Sequence, residues 1–214
     1  MIKVLLVDDH ELVRTGIRRI IEDSKGFAVV GEAQNGESAI RLAKELAPDV
    51  VLMDMNMPGI GGLEATRKLA RFCPDIKVIV LTILAEEPMP QKVMEAGAAG
   101  FLTKGSHPDE MLNAIRTVCT GQRYLPADIA QKMALRPFNG EDANPFTQLS
   151  DRELQIMMMI TRGEKVQTIS DKLNLSPKTV NSYRYRMFEK LAIQNDVELT
   201  HMAIRYGMLD TSKL

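Results

Sequence analysis

The chain has 214 residues, 45% of them hydrophobic and 26% charged, a composition that excludes a wholly disordered or collagen-like polymer and allows one large domain or two small ones. Its longest apolar runs, Val50 to Met53 and Ile156 to Ile160, fall far short of the ~18 residues of a membrane span, and no apolar leader precedes Asp8, so a cytoplasmic protein without a membrane anchor is expected. The formal charge of −1 hides an asymmetry: residues 1–125 carry 15 basic and 17 acidic side chains and residues 149–214 carry 10 and 8, so only the C-terminal part has the sign that nucleic acid attracts.

Strand-length apolar runs recur at Ile2 to Val7, Phe27 to Val30, Asp49 to Met53, Ile76 to Leu81 and Gly100 to Leu102, with helical periodicity between them. In the first spacer Leu12, Val13, Ile17, Ile20 and Ile21 fall on one side at 3.6-residue spacing and Arg14, Arg18 and Arg19 on the other. Runs this apolar suit strands covered on both faces, so the rhythm predicts an α/β domain with five parallel strands and helices on both sides. It ends with a helix over Pro108 to Cys119. Arg136 to Pro145, rich in Pro, Gly, Asn and acidic residues, reads as linker. With a short helix ahead of it, that linker spans 121–145, between a first domain at 1–120 and a second at 146–214. Cys73 and Cys119 are isolated and read as reduced packing residues.

Beyond the linker the pattern is purely helical, as in a small all-α domain of four helices. Ser150 and Glu153 form a capping box, with Leu149 and Leu154 placed as its hydrophobic staple. Val166, Ile169 and Leu173 make a short stripe ended by Asn174, and Ser176-Pro177 is an N-cap followed by proline at the first helical position. A short helix, a tight turn and a longer helix is the helix-turn-helix pattern. Met157-Met158-Met159 reads as core filling.

Ligand chemistry in an open parallel sheet sits beyond the carboxyl ends of its strands. Those ends deliver Asp8 and Asp9, Asp54, Thr82 and Lys104. Three carboxylates in one small pocket repel one another unless a hard divalent cation offsets them, and Mg²⁺ takes carboxylate, carbonyl and water oxygens. One carboxylate can then attack phosphorus. Asp54, alone at the end of the central strand, is the expected nucleophile, with Lys104 neutralising the transferred group and the Thr82 hydroxyl bonding its oxygens. Singly, each residue has a plainer explanation: Asp8-Asp9 as a helix cap, Asp54 as a turn former, Thr82 and Lys104 as ordinary strand-end and surface residues. Four strand ends carrying such groups within 104 residues argue for one site. His10, His107 and His201 show no ligand spacing and read as structural, and Gly59-Ile60-Gly61-Gly62 is a turn into a helix, because no Gly-Lys-Ser/Thr follows it.

In the helix after Ser176, Val180, Tyr183, Met187 and Leu191 share the core side at ~100° per residue. Lys178, Ser182, Tyr185 and Glu189 face away, flanked by Asn181 and Arg186, as on a helix that enters the major groove. Base reading is expected of Asn181, Ser182 and Tyr185, and phosphate anchoring of Lys178, Arg184 and Arg186, with Thr179 beside them at the helix start. From Asp196 to Gly207, the residues Val197, Leu199, Met202, Ala203 and Ile204 cover more than half the helix circumference, a surplus that suggests a partner helix.

Val7-Asp8-Asp9-His10, Asp54-Met55-Asn56-Met57-Pro58-Gly59, Leu81-Thr82 and Phe101-Leu102-Thr103-Lys104 resemble the signature of receiver domains of bacterial two-component response regulators. Leu149-Ser150-Asp151-Arg152-Glu153 and Leu175-Ser176-Pro177-Lys178-Thr179-Val180 resemble the LuxR-type helix-turn-helix of the NarL/FixJ family, and Met57 to Lys68 with Asn181 to Arg186 look like its GacA/UvrY group. The resemblance implies a flavodoxin-like (βα)5 receiver followed by the helix-turn-helix domain, in a regulator rather than a turnover enzyme. It implies that Asp54 takes phosphate from a histidine of a sensor kinase, of the hybrid GacS/BarA type. Asp9, Asp54 and the Asn56 backbone carbonyl would hold Mg²⁺, Asp8 would support them, and Thr82 and Phe101 would form the switch pair. The last helix, through Val197, His201 and Ile204, would pair two phosphorylated copies on a palindromic promoter site in double-stranded DNA, activating small regulatory RNA genes with RNA polymerase as a further partner. One departure is Gly105, where many receivers have proline after the lysine.

Two other functions compete. Aspartyl-phosphate hydrolases of the haloacid dehalogenase class also place Asp, Thr or Ser, and Lys at strand ends, but need a second Asp two positions after the nucleophile, where this chain has Asn56. A small-molecule-sensing LuxR regulator would want an enclosed apolar pocket in place of the acidic strand ends. Control is expected to run through a modest domain contact that covers the recognition helix until Asp54 is phosphorylated.

Overall fold

The computed structural model of the protein describes residues 1–83, 88–139 and 144–209. Strands β1 (Ile2–Val7), β2 (Phe27–Ala33), β3 (Val50–Asp54), β4 (Lys77–Thr82) and β5 (Gly100–Thr103) form one parallel sheet in the order β2-β1-β3-β4-β5. Helices α1 (Glu11–Glu22), α2 (Gly36–Leu46), α3 (Gly61–Phe72), α4 (Met89–Glu95) and α5 (Pro108–Cys119) alternate with them. Every residue of β3 is buried, as a central strand with helices on both faces requires. Beneath one face, Val4, Leu6, Val50, Leu52, Ile79 and Leu81 pack with Leu112, Ile115 and Val118 of α5.

The register of this sheet positions the candidate site. Strand order reverses at β1, which pairs with β2 on one side and β3 on the other. Val7 lies opposite Met53, so Asp8 and Asp54 leave the sheet side by side. Asp54 pairs with Leu81 and Thr82 with Thr103, which puts Thr82 and Lys104 at the neighbouring strand ends.

Two elements run further than the sequence pattern suggests. Strand β2 continues past Val30 to Ala33, because a bulge opposite Val4/Leu5 lets Gly31, Glu32 and Ala33 pair with Leu5, Leu6 and Val7. Gly31-Glu32 reads locally as a strand end, and pairing with the partner strand overrides it. The segment read as linker from Arg136 is helical as far as Asn139, within α6 (Ala127–Asn139). Good helix formers from Ala127 to Leu135 propagate through it, and this 13-residue helix belongs to the sheet unit. The rest of that expected linker, 140–143, lies outside the described residues.

The C-terminal unit starts with a 3-10 turn (Pro145–Gln148) and continues as α7 (Asp151–Thr161), α8 (Val166–Leu173), α9 (Pro177–Leu191) and α10 (Asp196–Arg205). Both halves of the capping box are made, with Ser150 Oγ accepting from the Glu153 amide and Glu153 accepting from the Ser150 amide. Leu149 and Leu154 are buried beside it. Asn174 takes the left-handed conformation (φ 52°) that turns the chain out of α8, and Ser176 caps α9 through the Thr179 amide. Met157 and Met158 are buried with Phe146, Ile169, Val180, Met187 and Leu199, so the methionine run fills core. A nearly buried Glu153 receives Lys190 Nζ at 2.6 Å, tying α7 to α9.

Candidate functional site

At the switch point of the sheet, Asp8, Asp9, His10 and Asp54 bring one ligand atom each to within 4.8 Å of one another. Asp8 and Asp54 are buried, at 2% and 1% exposure, whereas Asp9 is exposed. Lys104 reaches in from the end of β5, its Nζ 2.7 Å from Asp8 Oδ2 and 2.9 Å from Asp54 Oδ1. Asp8 Oδ1 also accepts the His10 amide at 2.8 Å. Among the described residues, Lys104 Nζ at 2.9 Å from Oδ1 offers Asp54 its positive charge, and no hydrogen bond of good geometry reaches either Asp54 oxygen. Buried carboxylate oxygens rarely go without well-aligned donors, and these two face a cluster made of two further carboxylates and His10. Such an oxygen-rich, anionic set fits a hard divalent cation such as Mg²⁺.

Burial pushes the Asp54 carboxyl above the ordinary aspartate range, and Lys104 pulls it back in part. Burial alone would lower the Lys104 ammonium, but Asp54 and Asp8 outweigh it and the net shift is upward. The pocket therefore holds Lys104 charged and makes the ionised form of Asp54 costly to bury.

Each expected pocket residue has a definite place. Thr82 is fully buried at the end of β4, and its carbonyl accepts the Lys104 amide at 2.8 Å. Asn56 lies in the loop between β3 and α3. Phe101 is 0% exposed, so its ring already lies in the core and any switching motion starts from there. Asp8 and Asp9 do not cap α1: the N-cap is His10, which makes no side-chain cap bond. The Lys104-Gly105 loop forms a turn closed by the Ser106 amide on the Thr103 carbonyl at 3.0 Å.

Two residues of the pocket escaped the sequence reading. His10 reads as structural, yet its Nδ1 lies 2.8 Å from Asp9 Oδ1 and 3.2 Å from Asp8 Oδ1; its adjacency to the aspartate pair was the available signal. Gly62 reads as part of a turn, yet a Cβ there would stand 1.9 Å from the Asp54 carbonyl oxygen. The start of α3 thus presses against the backbone of the candidate nucleophile, and the Gly62 amide bonds the Met55 carbonyl at 3.0 Å. No sequence signal separates this glycine from its neighbours.

On α9, Val180, Met187 and Leu191 are buried and Tyr183 half-buried. Lys178, Ser182, Tyr185 and Arg186 are exposed, Tyr185 at 62%, while Thr179 and Asn181 are half-buried. Ser182 Oγ donates to the Lys178 carbonyl at 3.0 Å, and Thr179 Oγ1 lies 2.8 Å from Ser176 Oγ. Arg184 departs from its expected place among outward phosphate anchors. Its Nε donates to Asp196 Oδ1 at 2.7 Å, Nη2 bonds the other oxygen, and the guanidinium lies over the Phe188 ring. Arg184 therefore joins α9 to the start of α10, and outward cationic reach falls to Lys178 and Arg186. On α10, Val197 (63% exposed), His201 and Ile204 (41% exposed) lie on one outer face at i, i+4 and i+7. No helix among the described residues is long and apolar enough to cross a membrane.

Residues 4–116 match the response regulator receiver domain family, and residues 147–203 match the luxR family of bacterial regulatory proteins. The chain is 64% identical to the response regulator UvrY of Escherichia coli (strain K12), over all of this chain and 99% of that protein. It is 60% identical to the response regulator GacA of Pseudomonas aeruginosa, over 99% of this chain and all of GacA. Among solved structures it resembles RcsB of Salmonella enterica serovar Typhimurium bound to the promoter P1flhDC in the presence of phosphomimetic BeF3-, with TM-score 0.69, 25% identity, and coverage of 94% of this chain and 97% of that one. The chain belongs to the two-component response regulators that join a receiver domain to a LuxR-type DNA-binding domain, in the group that includes UvrY and GacA.

Proposed function

We propose that the protein takes a phosphoryl group on Asp54 from a phosphohistidine of a sensor kinase, and that this state controls DNA binding by α9. The observation that carries the reading is the Asp54 carboxylate, buried at a strand end beside Asp8 and Asp9, with Lys104 Nζ 2.9 Å from its Oδ1. In-line attack by one Asp54 oxygen forms the P–O bond as the P–N bond to the kinase imidazole breaks, and the leaving nitrogen keeps the electron pair. Lys104 offsets charge on the transferred group, and the Thr82 hydroxyl is the proposed donor to one of its oxygens. Asp9, Asp54 and the Asn56 carbonyl are the proposed Mg²⁺ ligands, supported by Asp8. When bound, the ion supplies the positive charge that lets three carboxylates and a phosphoryl group share one pocket. Thr82 and Phe101 are the proposed switch pair.

A receiver is assigned to 1–120, a linker including a short helix to 121–145 and a DNA-binding domain to 146–214. In the last, Asn181, Ser182 and Tyr185 are assigned to base edges, Lys178, Thr179 and Arg186 to the backbone, and Val197, His201 and Ile204 to a homodimer on a palindromic promoter site. RcsB, solved on a promoter with a phosphomimetic, supports coupling of the two activities. Membership of the GacA/UvrY group supports a hybrid GacS/BarA-type kinase as donor, small regulatory RNA promoters as targets, RNA polymerase as a further partner and action in the cytoplasm. The protein turns over no substrate beyond its own phosphotransfer.

Incubation with acetyl phosphate, followed by phosphate-affinity electrophoresis, tests the assignment. Label should require Mg²⁺ and disappear in Asp54→Ala and Asp9→Ala. Label that survives Asp54→Ala, or forms equally well in EDTA, overturns it.

A further inference from the structure

Arg14 is a cationic side chain for which the phosphorylation chemistry has no use, yet it is 5% exposed and lies behind the acidic pocket. Its Nη1 donates to the Asp8 main-chain carbonyl at 2.7 Å, and its Nε donates to Glu32 Oε2 at 2.9 Å. Glu32 stands on β2, in the part of that strand that its bulge brings into pairing with β1. Arg18, one turn along α1, takes the other Glu32 oxygen at 2.6 Å. The adjacent β2 residue, Ala33, accepts the Asp8 amide through its carbonyl at 3.1 Å. The peptide groups on both sides of Asp8 are thus fixed to one edge strand, the N–H directly and the C=O through Arg14. The Arg14 bond holds the Glu32 carboxyl below its ordinary range, so the guanidinium sits between a charged acceptor and the carbonyl.

We propose that Arg14 is a positioning residue for the cation site: held by Glu32, it fixes the Asp8 carbonyl and so aims the Asp8-Asp9-His10 turn at Asp54. The inference rests on the reading of this pocket as a Mg²⁺ site. Without the clamp the Asp8 carboxylate is still held by the His10 amide and Lys104, but the Asp8 carbonyl loses its Arg14 donor, and the mutual repulsion of the carboxylates on this turn favours swinging Asp9 out to water. The guanidinium touches neither the nucleophile nor the phosphoryl group. Its effect should appear in the affinity for the ion, as for groups that orient metal ligands from behind, whose loss typically costs ~10–100-fold.

The test uses the full chain and Mg²⁺ alone, by titration calorimetry, on the wild type, Arg14→Met, Glu32→Gln and Asp9→Ala, with circular dichroism as the check on folding. Arg14→Met is expected to weaken Mg²⁺ binding by ~10-fold or more. Glu32→Gln leaves the arginine in place but removes its charged anchor, and should weaken binding less, in the same direction. The acetyl phosphate reaction supplies a second readout: the Mg²⁺ concentration giving half-maximal labelling should rise in Arg14→Met while the rate at saturating Mg²⁺ falls by much less. A merely structural arginine would lower stability and leave both Mg²⁺ quantities unchanged. Wild-type affinity in a folded Arg14→Met overturns the proposal; should that variant fail to fold, wild-type affinity in Glu32→Gln does so. If Asp9→Ala itself binds Mg²⁺ like the wild type, the pocket reading fails, and that outcome is distinct from a failure of the clamp.

Discussion

The two units carry function in opposite ways. In the receiver, chemistry is assembled from strand ends that are far apart in sequence: Lys104 meets Asp8 across 96 positions, and Asp54 is placed by its register against both neighbouring strands. In the C-terminal unit, the proposed reading surface is one outer face of the single helix α9, capped by Ser176 at its own start. A site built by long-range register exists only when the whole sheet is folded, and its groups perturb one another, as the upward shift of Lys104 beside Asp54 and Asp8, against its burial, shows. A site built on one helix face consists of exposed side chains that can be exchanged one at a time.

The largest expected effect follows from the crowding of charge in the receiver. Lys104→Met removes the cation 2.9 Å from Asp54 and should slow labelling by acetyl phosphate ~10²- to 10³-fold, the usual cost of losing one charge-stabilising donor. A labelling rate within a few-fold of wild type would break the comparison.

Gly62→Ala comes next. The new methyl would overlap the Asp54 carbonyl, with 1.9 Å between them, and backbone shifts of that kind typically cost ~1–3 kcal/mol. Calorimetry should show the receiver melting earlier and the helical unit unchanged.

The same contrast explains what could be read from sequence. Strand rhythm, the capping box at Ser150 and the outward face of α9 are patterns within one element, and the structure has them where the pattern puts them. Asp8, Asp9, Asp54 and Lys104 were legible because strand ends in an open sheet converge by topology. Whatever depended on a partner elsewhere was not: β2 past Val30 needed its pairing with β1, Gly62 needed the Asp54 carbonyl, and Arg184 needed Asp196. The periodicity that put Arg14 opposite the apolar face of α1 could not show that it is buried against Asp8.

On α9 the expected effects are smaller and separable. Tyr185→Ala should cost ~1–3 kcal/mol on selected DNA only, and Lys178→Ala should weaken all DNA alike and reduce the salt slope by ~1. Filter binding at several salt concentrations distinguishes them; a uniform loss in Tyr185→Ala would remove it from base reading.

The smallest effect concerns stability and pH. A carboxyl whose folded value is raised favours its protonated form, so the stability contributed by Asp54 is present below the ordinary aspartate range and lost as pH rises through its raised value. In EDTA, Asp54→Asn should therefore melt at a higher temperature than wild type at neutral pH, with the gap closing as pH falls below the ordinary aspartate range. A gap that widens on acidification would mean Asp54 is stabilised as the anion.

If phosphorylation of the charged pocket governs the helical face, the DNA affinity of the full chain must respond to it. With DNA selected from a random pool by the phosphorylated protein, at one fixed salt concentration, acetyl phosphate and Mg²⁺ should tighten binding by the wild type and leave Asp54→Ala unchanged. Equal tightening in both proteins, or none in a wild type shown to be labelled, would contradict the account.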